Sequence, residues 1–445
     1  MPHLTLLALG IAILTLGIEA RATDDPARPN ILIIFTDDQG YGDVGCFGNT
    51  QIKTPHLDQL AADGTTFTSF YSQNVCGPAR SALLTGRYPS RSQGWSMPAG
   101  EVTWAEQMRD NGYDTICVGK WDVSNRQAII DRMPNAQGFD TYFGALGAND
   151  SGVVRFHANN EEAGSTEDMG SLTRLYTDKA IGFLKDRPDQ DKPFVLYLAH
   201  TMMHTIIDAS PEFLGKSDGG LYGDVVEEFD HETGRLLATI DELGYRENTV
   251  VLYTSDNGPW SQTAYTDSKQ GHPEGSIFWG SPGELRGAKG SAYEAGSRVP
   301  CIVRWPGKVP AGRTSDALLT TLDVLPTLAH LTGFELPSDR PIDGVDQSDL
   351  LLGKTEDSAR TTYIYDQVIK NAVGIRDAKW KLLLPDRAPQ KPHRYLMDFG
   401  TNGLELYDLK ADIGETTNLA EQHPEIVYRL TKMLEAHTFE VGESN

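Results

Sequence analysis

Apolar residues in this chain fall into two kinds of run. The first kind is short and unbroken. Residues 31–35, 115–118, 194–199 and 249–254 are each four to six residues long and rich in β-branched or aromatic side chains. Runs of that length and composition read as strands buried on both faces. The second kind repeats at helical spacing: Val225, Val226, Phe229, Leu236, Leu237, Ile240 and Leu243 line one face of a helix. Further helices are expected from Thr54-Pro55 to Gly64, over 171–185, and from the capping box Thr103-Trp104-Ala105-Glu106 to Gly112. Pro78 suits a first helical turn, Ala82 to Leu84 continue it, and Gly86 supplies a left-handed cap, which sets Cys76 just before a helix N-terminus. The Gly-, Asn- and acid-rich residues 135–170 read as a long loop. Strands thus alternate with helices, which implies an α/β fold: a large, mainly parallel sheet sandwiched by helices. From about residue 355 short strand-like runs follow closely at 363–365, 373–376, 380–384 and 404–407, then an amphipathic helix near 424–437. That texture predicts a smaller C-terminal antiparallel sheet plus helix.

Composition narrows the function. The 445 residues suffice for one large domain and a smaller one, and the net charge of −23 argues against nucleic acid or a basic membrane-surface patch. Residues 4–18 form an apolar run too short to span a bilayer, and Ala20-Arg21-Ala22 follows as a cleavage pattern. Residues 1–22 are read as a signal peptide, although Met1-Pro2-His3 carries no Lys or Arg; the mature protein would be secreted or periplasmic, with no stable membrane anchor. The four cysteines, at 46, 76, 117 and 301, are not a disulfide framework, and Cys117 sits in an apolar run as a core residue would.

The candidate chemistry lies at the strand ends, where open parallel sheets bind ligands. The four unbroken runs deliver Asp37 and Asp38, Lys120, His200 with His204, and Asp256 with Asn257. Three carboxylates and an amide oxygen are hard donors that suit Ca²⁺ or Mg²⁺, whereas a two-zinc phosphatase site would ask for His or Cys ligands that the strand ends do not supply. Cys76 faces the unpaired N–H groups of a helix start, an anion site with Arg80 one turn further on.

The string Cys76-Gly77-Pro78-Ala79-Arg80, continuing to Leu84-Thr85-Gly86-Arg87, resembles the signature of the type I sulfatases of the alkaline phosphatase superfamily. Further matching strings run over 29–38, 54–58, 119–121, 255–258, 285–290 and 406–409, so the resemblance covers almost the whole mature chain. It implies a sulfatase catalytic domain over 23–355 and a C-terminal α+β subdomain over 356–445. It implies that a maturation enzyme oxidises Cys76 to formylglycine, and that Asp37, Asp38, Asp256 and Asn257 bind Ca²⁺ together with that residue. Arg80 would hold the hydrated aldehyde, Lys120 and Lys289 would contact sulfate, Asp256 would act as base, and His204 or Lys289 would protonate the departing alcohol. The substrate is expected to be a sulfated small molecule or carbohydrate. Two positions leave the pattern: Met203 replaces a Pro before His204, and Asp122 replaces the His that follows Gly-Lys-Trp. Nearby cations should hold Asp122 ionised, which favours a place in the specificity pocket over a role as base. The loop 259–282 adds His272 and Trp279 as candidate substrate contacts. A formylglycine-type phosphodiesterase or phosphonate monoester hydrolase, and an inactive relative that only binds sulfated glycans, are the alternatives.

Overall fold

The computed structural model describes residues 28–260, 279–367, 371–385 and 403–443. The proposed signal peptide and His272 lie outside the described residues. Eleven strands form one sheet: β1 (Asn30–Thr36), β2 (Thr65–Tyr71), β3 (Asp114–Lys120), β4 (Thr141–Ala145), β5 (Val154–Ala158), β6 (Glu161–Thr166), β7 (Phe194–Ala199), β8 (Thr249–Ser255), β9 (Arg298–Arg304), β10 (Arg313–Ser315) and β11 (Leu319–Thr320). Their order is β10-β2-β9-β8-β1-β7-β3-β4-β5-β6, with β11 also on β2. The four strands read from unbroken apolar runs stand side by side and parallel as β8-β1-β7-β3. Strand β9 runs antiparallel between β8 and β2, and β5 antiparallel between β4 and β6.

Strand β1 divides the core between the two faces. Leu32 and Ile34 join one apolar layer with residues of the Pro55–Ala62, Leu172–Lys185 and Gly220–Glu242 helices. Ile31, Ile33 and Phe35 join the other with residues of the Cys76–Thr85, Trp104–Asp110 and Val324–Thr332 helices. This is the expected sandwich. The Thr103 capping box is present, and Gly86 has φ 65° at the end of the Cys76–Thr85 helix.

Three expectations are corrected. Residues 135–170 contain β4, β5 and β6, because the polar, glycine-rich sequence still pairs along the rim of the sheet. Cys76 is the first residue of its helix, with Val75 as the cap, so it lies inside the N-terminal turn instead of before it. Strands β2 and β9 were not expected, the first because polar residues interrupt it and the second because Pro300 does.

The C-terminal sheet is β12 (Tyr363–Gln367), β13 (Asn371–Arg376), β14 (Trp380–Leu383) and β15 (Glu405–Asp408), all antiparallel, followed by the Pro424–Glu443 helix. Its Tyr363, Leu382 and Leu406 share an apolar cluster with Tyr71 of β2 and with Ala82 of the Cys76–Thr85 helix. No helix among the described residues is long and apolar enough to cross a membrane.

Candidate active site

The parallel register brings the predicted strand ends together. Thr36 of β1 pairs with Ser255 of β8, and Ala199 of β7 pairs with both Phe35 and Gly119, so the following residues leave the sheet at one level. Gly119 has φ +111°, and a Cβ there would meet the Ala199 carbonyl oxygen at 1.9 Å, so the turn into Lys120 requires glycine. The backbone N–H of Asp37 donates to Met202 O at 3.0 Å, which ties the β1 end to the segment carrying His204. Lys289 comes from a distant loop. Its N–H donates to Pro259 O at 2.7 Å and that of Gly290 to Asn74 O at 2.8 Å, so the loop is pinned between the exit of β8 and the approach to Cys76.

Asp37, Asp38, Arg80, Lys120, Asp122, Asp256 and Asn257 are fully buried, and Cys76, His204 and Lys289 nearly so. Lys120 Nζ lies 2.6 Å from Asp37 Oδ2, and Arg80 NH2 lies 3.1 Å from the same oxygen and 2.9 Å from Asp256 Oδ2. Lys289 Nζ lies 2.6 Å from Asp38 Oδ1 and 3.7 Å from Cys76 Sγ. Burial works against ionising Asp37, yet Lys120, His204, Arg80 and Lys289 outweigh it and hold the carboxyl far below its usual range. Burial together with the charge of Asp37 pushes Asp256 the other way, up to about 7. Burial also pushes the Cys76 thiol up to about 12, so an unmodified sulfur here is a neutral thiol.

Carboxylate oxygens of Asp37, Asp38 and Asp256 converge within 4.8 Å of one another. Asp37 Oδ1, Asp38 Oδ2 and Asn257 Oδ1 are buried without a hydrogen-bond partner among the described residues. Buried oxygens are nearly always paired, so three on converging residues form a cradle for a hard cation. Asp37, Cys76 and His204 also come within 4.8 Å, but a neutral thiol is a poor zinc ligand.

Around this centre the expected His204, Asp122 and Trp279 are joined by residues that sequence reasoning missed, Asp150, Arg126 and Trp95. His204 Nε2 lies 3.6 Å from Asp38 Oδ2 and 3.4 Å from Asp150 Oδ1, while its Nδ1 donates to Thr205 O at 2.6 Å. Trp260 packs against His204 at 5.7 Å and under Lys289 Nζ at 4.7 Å. Asp122 Oδ1 accepts from Arg126 Nε at 2.7 Å, and Oδ2 accepts from Trp95 Nε1 at 3.2 Å with Lys120 Nζ at 3.5 Å. Burial opposes the charge on Asp122, but Lys120, Arg126 and Arg80 prevail and its pKa is lowered, as expected. Trp279 and Trp260 line a cavity of about 360 Å³ together with Asn49, Gln51 and Tyr222. His200 is buried behind the site with Tyr176 and Phe229, and burial brings its pKa down to about 4, so it stays neutral in the core. Asp150 and Arg126 carry no local motif; only the fold brings them to His204 and Asp122.

The sulfatase family model matches residues 29–334, and a second model, N-sulphoglucosamine sulphohydrolase, C-terminal, matches 288–440. The chain is 32% identical to N-acetylgalactosamine-6-O-sulfatase of Bacteroides thetaiotaomicron, over 96% of this chain and 97% of that one. It is 33% identical to human arylsulfatase A, over 91% of this chain and 82% of that one. A solved B. thetaiotaomicron structure, described under metabolism of multiple glycosaminoglycans, superposes with a TM-score of 0.81 at 30% identity, covering 93% of this chain and 100% of that one. The chain belongs to the sulfatase family and is a sulfuric ester hydrolase.

Proposed function

We propose that the protein is an exported, calcium-dependent sulfatase that releases inorganic sulfate from a sulfated saccharide through a formylglycine made from Cys76. The observation that carries this is the cradle of unpartnered oxygens on Asp37, Asp38 and Asn257, beside a cysteine at a helix start flanked by buried cations. Asp37, Asp38, Asp256 and Asn257 would hold the ion, which when bound supplies Lewis-acid neutralisation of sulfate charge. The oxidised Cys76 would supply a hydrated aldehyde as nucleophile.

The remaining work falls to this chain's own side chains. Arg80, bonded to both Asp37 and Asp256, fixes those carboxylates from below. Lys120 and Lys289, both buried, bring positive charge to where sulfate oxygens become more negative, and charge acts strongly in such surroundings. Asp256 accepts the proton of the attacking hydroxyl. Because His204 Nδ1 donates to Thr205 O, Nε2 is the ring nitrogen that faces the departing alcohol, and it hands over a proton from the imidazolium form, leaving the neutral ring with its proton on Nδ1. Lys289, next to Cys76, is the second candidate for that donation.

A saccharide substrate is supported by the named N-acetylgalactosamine-6-O-sulfatase relative and by the two tryptophans beside the site. Export rests on the N-terminal apolar run and its Ala-x-Ala ending. The C-terminal subdomain is taken to begin near residue 356. The test is to produce the chain with a formylglycine-forming enzyme, strip it with chelator, and measure free sulfate from a sulfated saccharide panel as metals are restored. Calcium should restore release, and the Cys76 peptide should have the mass of an aldehyde. Active enzyme carrying only thiol at Cys76 would sink the proposal.

A further inference from the structure

We infer that Arg126 is the subsite for a second anionic group on the substrate, a carboxylate or another sulfate carried by the same saccharide. This deepens the saccharide sulfatase reading and rests on it. Arg80 and Lys120 are fully buried, whereas the Arg126 side chain is 40% exposed. Its Nε donates to Asp122 Oδ1 and its NH1 to Asp150 Oδ2, both at 2.7 Å, so NH2 is the donor left for a ligand. Asp150 also stands 3.4 Å from His204 Nε2. Arg126 is therefore one carboxylate away from the group that protonates the leaving alcohol, on the side where the saccharide must lie.

Arg126 is built into place. Asp122, Asn125 and Arg126 have φ of 60°, 55° and 57°, three left-handed non-glycine residues within five positions. Such backbone persists only where the surroundings impose it, and it gathers at functional sites. The surroundings here are specific. Asn125 N–H donates to Trp95 O at 2.8 Å, and Ser124 pairs with Ser96 in an isolated bridge. A Cβ on Gly147 would come within 3.1–3.3 Å of three Arg126 side-chain carbons, so bare backbone forms the floor under the arginine stem. Asp122 holds the head of Arg126 and the indole of Trp95 with opposite oxygens, which makes Asp122 a positioning residue. Trp95 in turn lies against Gly77, next to Cys76. A polyanion arriving at a chain of net charge −23 meets Asp150 already paired with Arg126 NH1, which offsets its charge and leaves NH2 for the ligand.

The test uses the full-length, matured, calcium-loaded enzyme with R126Q and R126K. The substrates are a neutral hexosamine monosulfate, the same sulfated hexosamine linked to a uronate, and a disulfated hexosamine. The readout is the ratio of kcat/KM for each two-anion substrate to that for the monosulfate. Wild type should favour at least one two-anion substrate. R126Q should cut that ratio tenfold or more, mainly through KM, and R126K should retain most of it. Loss confined to the uronate arm assigns a carboxylate, and loss confined to the disulfated arm assigns a second sulfate. A wild-type ratio near one, or a ratio unchanged in R126Q, overturns the inference. Calorimetric binding of the same saccharides to the full-length C76A protein, which cannot form the aldehyde, gives the corresponding ratio of affinities without turnover, and R126Q should cut it likewise. Absence of sulfate release therefore defeats the sulfatase reading by itself, and Arg126 is judged separately on binding.

Discussion

Asp122 is the residue where this chain departs most from its family pattern, and its surroundings decide what it can do. Its Oδ1 is held by the half-exposed Arg126 and its Oδ2 by Trp95 and the buried Lys120, and Asp122 itself is fully buried. A carboxylate so engaged and held ionised by three cations is a weak proton acceptor. A chromogenic aryl sulfate in excess over wild-type enzyme should therefore give phenol linearly; a burst near one equivalent per site would mark Asp122 as a slow base for sulfate release. Lys289 makes a simpler case. Its ammonium sits between Asp38 and Cys76, where the proposed attack on sulfur would build up charge. Lys289→Met should cost about 2–4 kcal/mol of transition-state stabilisation, seen as a fall in kcat of about thirtyfold to a thousandfold. Unchanged turnover would place the sulfate elsewhere.

Among the elements, the C-terminal sheet reaches the active site through one buried charge network. Glu294 lies five residues after Lys289, at the turn into β9. Its carboxylate accepts from Tyr71 of β2, from Tyr365 of β12 at 2.5 Å and from Lys381 of β14 at 3.0 Å. Lys381 also lies 2.7 Å from Glu415, whose other oxygen accepts from the Glu294 N–H at 2.7 Å. Burial pushes Glu415 up to about 7 against the pull of Lys381. Lys381→Met leaves two buried carboxylates facing each other and should cost about 3–5 kcal/mol in urea unfolding. Adding Glu415→Gln should recover part of that; no recovery would mean that the lysine acts through packing alone. Little of this network was legible in the sequence. The parallel strands β1, β3, β7 and β8 were readable because strands buried on both faces need unbroken apolar runs. Strand β2 alternates threonine and serine with aromatics and β6 is almost wholly exposed, so neither shows such a run. The converging oxygens of Asp37, Asp38, Asp256 and Asn257, and Lys120 and Lys289 beside them, each lie in a matching string, so their coming together was readable. Asp150, Arg126 and Trp95 were not, since their chemistry arises from contacts between segments far apart in the chain.

At the scale of the whole molecule, the acidic centre sets a balance between stability and function. Four buried carboxylates, Asp37, Asp38, Asp122 and Asp256, face three buried cations, Arg80, Lys120 and Lys289. The mismatch is expressed in Asp256, which burial and Asp37 push up to about 7, and in the three oxygens that no proton donor satisfies. A divalent cation would correct both at once. Because it binds the folded chain and not the unfolded one, it adds RT ln(1 + [L]/Kd), about 2.7 kcal/mol at a hundredfold excess over Kd. The protein should therefore melt a few degrees lower in chelator than in calcium, with Tm rising as the logarithm of calcium once the site saturates. Magnesium should restore less, because it demands near-ideal octahedral geometry and gives up water reluctantly. Asp37→Asn should lose the calcium response while still folding, since its amide oxygen can accept from Arg80 and Lys120. That comparison separates a metal site from a general effect of ionic strength: salt acts on both proteins, and calcium only on the one with Asp37. A calcium response of equal size in Asp37→Asn, or recovery with zinc and not calcium, would move the cation away from this cradle and remove the charge neutralisation that the proposed sulfate site calls for.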